Sequence, residues 1–280
     1  MVASDEKETS PDGPALTSAE HRRLAEGLLR AALDRRAIEP LSEWHRGLTC
    51  ADAGRVRDMV LACRLAAGER LIGAKVSLGS TSPAAPRGDR ARPRLGWLTD
   101  AMLLSDGVVA PGHLIAPRVE PKLAFLVART LHRPIATVSD LLASTYRVFP
   151  CLEVVDSRYG REHPGPADHI ADNCGAARLV LGQGVPPPAE GHLRRMRVRF
   201  EVDGTVPERA SGGREALVTA PEATVWLGNR WIRTARTLLP GTLLTSTAVA
   251  PAVALAPLAR IAASFRGIGS IELQVAGARI

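Results

Sequence analysis

From residue 71 onward the apolar residues come in short runs, each closed by glycine, proline or a turn. Leu71 to Leu78 stops at Gly79. Val119 to Val127 is apolar apart from two charges, and Cys151 to Val155 is shorter still. Runs of this length fit strands rather than helices. Arg195 to Val202 alternates, with Met196, Val198 and Phe200 opposing Arg195, Arg197 and Arg199, and Asp203-Gly204 follows as a hairpin turn. Ala262 to Val275 reads as two strands around Gly267-Ile268-Gly269. Upstream the period changes. Leu24, Leu28, Leu29, Ala32 and Leu33 recur at helical spacing behind a Thr17-Ser18-Ala19-Glu20 cap. A second helix starts at Thr49 and ends at Ala67 before Gly68, and further helices are predicted over Ser139 to Val148, capped by Ser139, and over Pro221 to Thr234. A small helical part followed by mostly sheet is an α+β arrangement. Residues 1–16 read as a disordered lead-in, 17–70 as the helical N-terminal part and 71–280 as the sheet-rich remainder.

The net charge of +7 does not point to nucleic acid. Only Lys7, Lys75 and Lys122 are lysines against 33 arginines, a bias that codon usage explains, and ten aromatic residues leave little to stack on bases. The most apolar stretch, Leu238 to Ala263, is broken by Pro240, Pro251 and Pro257 and carries Arg260, so no membrane helix is expected. Cys50, Cys63, Cys151 and Cys174 show no paired spacing, and the polar N-terminus has no apolar signal region; a cytoplasmic protein with reduced thiols is expected. Ser80 to Arg94, with Arg87, Arg90, Arg92 and Arg94, reads as a solvated connection, with an anion-attracting lid as the alternative.

In a chain that writes arginine almost everywhere, a lysine among apolar residues stands out. Arginine stays charged, whereas a buried lysine can act as acid, base or imine former. Lys75 and Lys122 both lie in apolar runs; a snorkelling stem or a plain ion pair is the plainer account of each. Glu120 and Lys122 share one face of a strand, roughly 7 Å apart. Glu153 lies in another apolar run and needs a partner if buried. Two carboxylates and an ammonium on apolar strands point to a polar pocket, with Asp100 and the Asp156-Ser157-Arg158 segment as further candidates. Asp172-Asn173 fits a turn. No nucleophile elbow, phosphate loop or histidine metal spacing is present.

Several blocks in order resemble one family: Leu71-Ile72-Gly73-Ala74-Lys75, Gly96-Trp97-Leu98-Thr99-Asp100-Ala101-Met102, and Pro117-Arg118-Val119-Glu120-Pro121-Lys122-Leu123-Ala124-Phe125. Pro150-Cys151-Leu152-Glu153-Val154-Val155-Asp156-Ser157-Arg158-Tyr159, Ile170-Ala171-Asp172-Asn173 and Gly267-Ile268-Gly269-Ser270 follow. The chain resembles, over about residues 24 to 275, the 2-keto-4-pentenoate hydratase and 4-oxalocrotonate decarboxylase branch of the fumarylacetoacetate hydrolase superfamily. The resemblance implies a mixed β-roll or sandwich in a catalytic domain over 71–280. It also implies a homodimer or higher homo-oligomer and a small anionic carbonyl substrate. In that family a Glu-x-Glu pair and a later glutamate hold Mg²⁺ or Mn²⁺. Glu120 matches the first ligand and Glu153 the third; Lys75 matches an active-site lysine, and Asp100 falls in a block with an acidic group near the substrate. Ser77, Leu78 and Arg158 fall where substrate is bound.

The departure from the pattern is Lys122, which stands where the family has its second metal-binding glutamate. An ammonium cannot ligate a hard cation and repels it. Ser77, Gly79 and Arg57 also differ from the usual residues. The leading expectation is a divergent, metal-independent lyase without a cofactor. It acts on a 2-oxo acid or related enolisable carbonyl compound, by decarboxylation, hydration or a related cyclisation, in bacterial secondary metabolism. In it Lys122 supplies fixed positive charge, Lys75 or Asp100 moves protons, and imine formation at a lysine is a variant. One alternative is an ordinary hydratase or decarboxylase that keeps Mg²⁺ or Mn²⁺ on Glu120 and Glu153. The other is an inactive structural partner in which these charges form only a salt bridge.

Overall fold

The computed structural model describes residues 16–78, 92–160, 165–207, 214–234 and 237–277, the side chains of 214–218 excepted. All of the expected lead-in but Leu16, which packs against the helical cluster, and nearly all of the arginine-rich stretch therefore lie outside the described residues. The N-terminal helices form where their caps predict. Thr17 accepts from the Glu20 amide while the Glu20 carboxylate accepts from the Thr17 amide at 2.7 Å, starting α1 (Ser18–Asp34). After a short α2 (Leu41–Trp44), the Thr49 hydroxyl accepts from the Asp52 amide and starts α3 (Cys50–Ala66). Leu24 and Leu28 of α1 pack on Ala53 and Val56 of α3 and on Tyr159 and Ala171.

The strands are β1 (Leu71–Leu78), β2 (Pro93–Thr99), β3 (Val108–Val109) and β4 (Arg118–Val127). Helix α4 (Val138–Ala143) leads into β5 (Thr145–Val155); α5 (Pro166–Ala171), β6 (Ala176–Leu181), α6 (Glu190–Leu193) and β7 (Val198–Val202) follow. Helix α7 (Arg214–Arg233) precedes β8 (Leu243–Thr245), β9 (Val253–Ala254), β10 (Arg260–Phe265) and β11 (Gly269–Val275). The larger sheet has the order β2-β1-β8-β4-β5-β6 with β9 also on β4; the smaller is β3-β11-β10-β7. This is the expected α+β class, with two packed sheets and few helices.

Alternation divides the larger sheet into two unlike faces. Ala74, Val76, Trp97, Phe125 and Leu244 turn to a core shared with Leu227 and Trp231 of α7 and with Phe200, Ile261 and Leu273 of the smaller sheet. Trp97 and Trp231 meet edge to face with centroids 5.3 Å apart. The opposite face carries Lys75, Glu120, Lys122, Cys151, Glu153 and Thr245, edged by a smaller cluster of Leu98, Met102, Ala124, Leu179 and Leu243.

Some elements differ from expectation. The predicted 139–148 helix is the six-residue α4 followed by strand. Thr137, not Ser139, forms its capping box with Asp140, and Val148 and Phe149 pair with β4. Burial against a partner strand overrides the local helical pattern there. Arg94 belongs to β2 and is 6% exposed, so the polar connection ends earlier than predicted. The 195–202 alternation holds, with Met196 and Phe200 buried and Arg197 and Arg199 exposed. The Asp203-Gly204 turn forms, closed by reciprocal Val202 and Thr205 bonds, but β7 finds its ladder partner in β10. Helix α7 begins seven residues before the predicted Pro221. Among the described residues no helix is long and apolar enough to cross a membrane.

Candidate active site

Strand register assembles the site. In the β4–β5 ladder Glu120 lies opposite Glu153 and Lys122 opposite Cys151. Two carboxylates directly across a strand pair repel unless a cation lies between them. Lys122 supplies it: its Nζ is 2.9 Å from Glu120 Oε1 and 2.7 Å from Glu153 Oε2. Lys75 on β1 ion-pairs with the other oxygen of Glu153 and donates to the Cys174 carbonyl at 2.9 Å. Lys75 and Lys122 are fully buried and Glu153 nearly so, while the Glu120 side chain keeps 16% of its exposure. Burying any one of these charges alone would cost several kcal/mol, on the order of a whole domain's margin of stability, so each needs an opposite charge beside it.

Electrostatics lock the charges in. Burial pushes the Glu120 carboxyl up, but Lys122 and Lys75 hold it below the ordinary value. Burial likewise favours a neutral Lys122, and Glu120 and Glu153 overcome it, holding its pKa above the ordinary lysine value. The neighbouring Cys151 thiol is pushed well up by burial and by Glu153, so it is not a nucleophile.

The Cys174 carbonyl is aimed by an unusual turn. Asn173, Cys174 and Gly175 all have positive φ, near 53°, 53° and 69°. Asn173 secures the turn by accepting from the Trp97 amide at 2.6 Å and donating to the Trp97 carbonyl at 2.9 Å. Gly96, opposite Lys75, is needed for closeness: a β-carbon there would lie 2.6 Å from the Asn173 carbonyl oxygen. Beside this turn Arg94, which pairs with Ser77 in the ladder, donates from Nη1 to His169 Nδ1 at 3.1 Å. Burial, with Arg94 and Lys75, pushes His169 down to about 3, so its imidazole is neutral.

The remaining candidates separate. Ser77 shares the face of Lys75 at a half-buried position; Leu78 turns to the opposite side. Asp100 does not join the cluster. It lies beyond the end of β2, where its carboxylate accepts from the Arg70 amide and side chain, each at 2.8 Å. Arg158 is buried against Asp172, to which it donates from its backbone and Nε, and against the Asp172 carbonyl. The sequence names Arg94 only within the arginine-rich stretch, as part of the anion-attracting alternative, and does not single out His169 or Thr245. Arg94 was hidden in an arginine-rich run, and a lone threonine ending an apolar triplet carries little signal.

The two residues that the resemblance assigns to a divalent cation, Glu120 and Glu153, are both paired with Lys122. Both carboxylates that would ligate the cation face an ammonium that lies between them. No group of three or more histidine, cysteine, aspartate or glutamate side chains suited to a metal occurs among the described residues.

No protein-family model matches the chain. It is 34% identical over 208 residues to the 2-hydroxypent-2,4-dienoate hydratase of Pseudomonas putida, covering 74% of this chain and 93% of that one. It is 30% identical to the 4-oxalocrotonate decarboxylase of Pseudomonas sp. strain CF600, covering 89% and 94%. The structure of 4-oxalocrotonate decarboxylase from Pseudomonas putida G7, complexed with magnesium and adipate, superposes with a TM-score of 0.84 at 28% identity, over 94% of this chain and all of that one. None of the three is named for a biosynthetic step.

Proposed function

The chain belongs to the 2-keto-4-pentenoate hydratase and 4-oxalocrotonate decarboxylase family of the fumarylacetoacetate hydrolase superfamily, and on that premise we propose a lyase that works without a metal on a small 2-oxo acid. The observation that carries this reading is the buried Lys122 ammonium, held between Glu120 and Glu153 at 2.9 and 2.7 Å. It is a cation fixed in place by the carboxylates that would otherwise ligate one.

The chemistry follows from placing that charge next to a 2-oxo acid. Loss of CO₂, or addition or removal of water, passes through an enolate whose negative charge gathers on the 2-oxo oxygen. A fixed ammonium in a water-poor site stabilises that oxygen without reorganising, typically by a few kcal/mol. Lys75, oriented by Glu153 and the Cys174 carbonyl, returns a proton to the enolate carbon. His169 stays neutral beside Arg94, so it adds no charge to the site, while the Arg94 guanidinium contributes positive charge that draws an anionic substrate toward it. Asp100 has no part in this scheme because its carboxylate is committed to Arg70.

A second reading keeps a divalent cation on Glu120 and Glu153, and the magnesium in the related decarboxylase favours it. Turnover of 2-hydroxypenta-2,4-dienoate and 4-oxalocrotonate before and after chelation separates the two. The metal-free reading expects unchanged rates with chelator. Loss of activity that added Mg²⁺ restores would establish the second reading instead.

A further inference from the structure

The four charges of the site cancel: Lys75 and Lys122 against Glu120 and Glu153. A neutral, mutually paired cluster has no free charge to offer an arriving anion. A carboxylate can reach the Lys122 ammonium only by taking the place of a carboxylate already there. Glu153 is ill suited to leave. Its side chain is 1% exposed, and it holds both ammoniums at once, one on each oxygen. Glu120 contacts Lys122 through one oxygen and alone keeps a path to solvent, with 16% of its side chain exposed.

A second feature marks the place an incoming oxygen would find. Thr245 on β8 pairs with Lys75 on one side and with Ala124 on the other, so it shares the face of the ion cluster. Its hydroxyl is fully buried and has no hydrogen-bond partner among the described residues. Such a group costs stability unless a water or a ligand meets it, and an oxygen arriving at this face would do so.

We infer that Glu120 is an exchangeable internal counter-ion: the substrate's carboxylate displaces it from Lys122 and is held there by the ammonium and the Thr245 hydroxyl. This rests on Lys122 serving as the site's cation. Substrate affinity is then reduced by the fraction of molecules in which Glu120 has swung away, and removing its charge lifts that reduction.

Titration calorimetry with pyruvate, in chelator at neutral pH, tests the exchange. Glu120→Gln, which keeps shape and loses charge, is expected to bind pyruvate on the order of tenfold more tightly than wild type. Pyruvamide, which has no carboxylate, is expected to show no gain, and Glu120→Asp is expected to behave like wild type. Circular dichroism establishes that each variant is folded. Folded Glu120→Gln that binds pyruvate no better than wild type, or gains equally for pyruvamide, overturns the exchange and leaves the metal-free lyase standing. Wild-type pyruvate binding that requires Mg²⁺ overturns the metal-free lyase itself.

Discussion

The turn at Asp172 to Gly175 touches two buried ion systems that are built in opposite ways. On one side Arg158 grips Asp172 with backbone amide and guanidinium, and adds bonds to the Asp172 and Ala176 carbonyls. Two of the guanidinium's bonds go to main-chain carbonyls, so the pair staples the 158 segment to the turn. On the other side Lys75 and Lys122 meet chiefly carboxylate side chains, with one close carbonyl at Cys174 and a longer one, 3.4 Å away, at Val76. A guanidinium fork bound to backbone cannot trade partners; an ammonium among side chains can. In the proposed function the first system holds the fold together and the second carries the chemistry.

Removing Lys122 probes the contrast most severely. Lys122→Met leaves Glu120 and Glu153 opposed without their shared cation and is expected to cost about 3–5 kcal/mol of stability. Activity is expected to fall by on the order of a thousandfold in the protein that still folds. Chemical denaturation and turnover per folded molecule measure the two losses; a variant retaining near-normal turnover would erase the distinction. Arg158→Lys keeps the charge but loses the fork, and is expected to destabilise by roughly 1–3 kcal/mol with turnover per folded molecule changed only a few-fold. Equal loss of turnover in both variants would mean that Arg158 also contacts substrate, as the family resemblance suggested.

The smallest effect is in pH dependence, where the two systems have opposite signs. Glu120 is held below its ordinary value of 4.5, so its contribution to stability is present above that pH and is lost as pH falls through the lower folded value. Burial raises Asp172 from 3.8 to about 6 despite Arg158, so the folded state binds the extra proton. Its contribution therefore falls as pH rises from 3.8 to about 6. Urea denaturation across pH 3 to 7 is expected to show Asp172→Asn removing that decline, while Glu120→Gln reduces the acid-side loss.

Much of this was readable in the chain. The Thr17 and Thr49 caps, the 71–78 and 119–127 runs and the tail hairpin all form because local propensity and burial agree there. The pairing of Lys122 with Glu120 followed from period two along one strand. The reach of Lys75 to Glu153 did not, because β1 and β5 are separated in the sheet by β8 and β4. Asp100 illustrates the limit of reading by blocks: it falls in the expected segment, yet the chain turns after Thr99 and delivers its carboxylate to Arg70. The Cys174 carbonyl was invisible because a main-chain atom aimed by three left-handed residues leaves no side-chain trace.

Divalent-cation binding to the purified protein, compared with Lys122→Glu, examines the internal ammonium most directly. The wild-type chain is expected to carry no stoichiometric metal and to bind neither Mg²⁺ nor Mn²⁺ at millimolar concentration, whereas Lys122→Glu acquires one site. One tightly held ion per wild-type chain, lost on Glu120→Gln, would contradict the assignment of Lys122 as the cation.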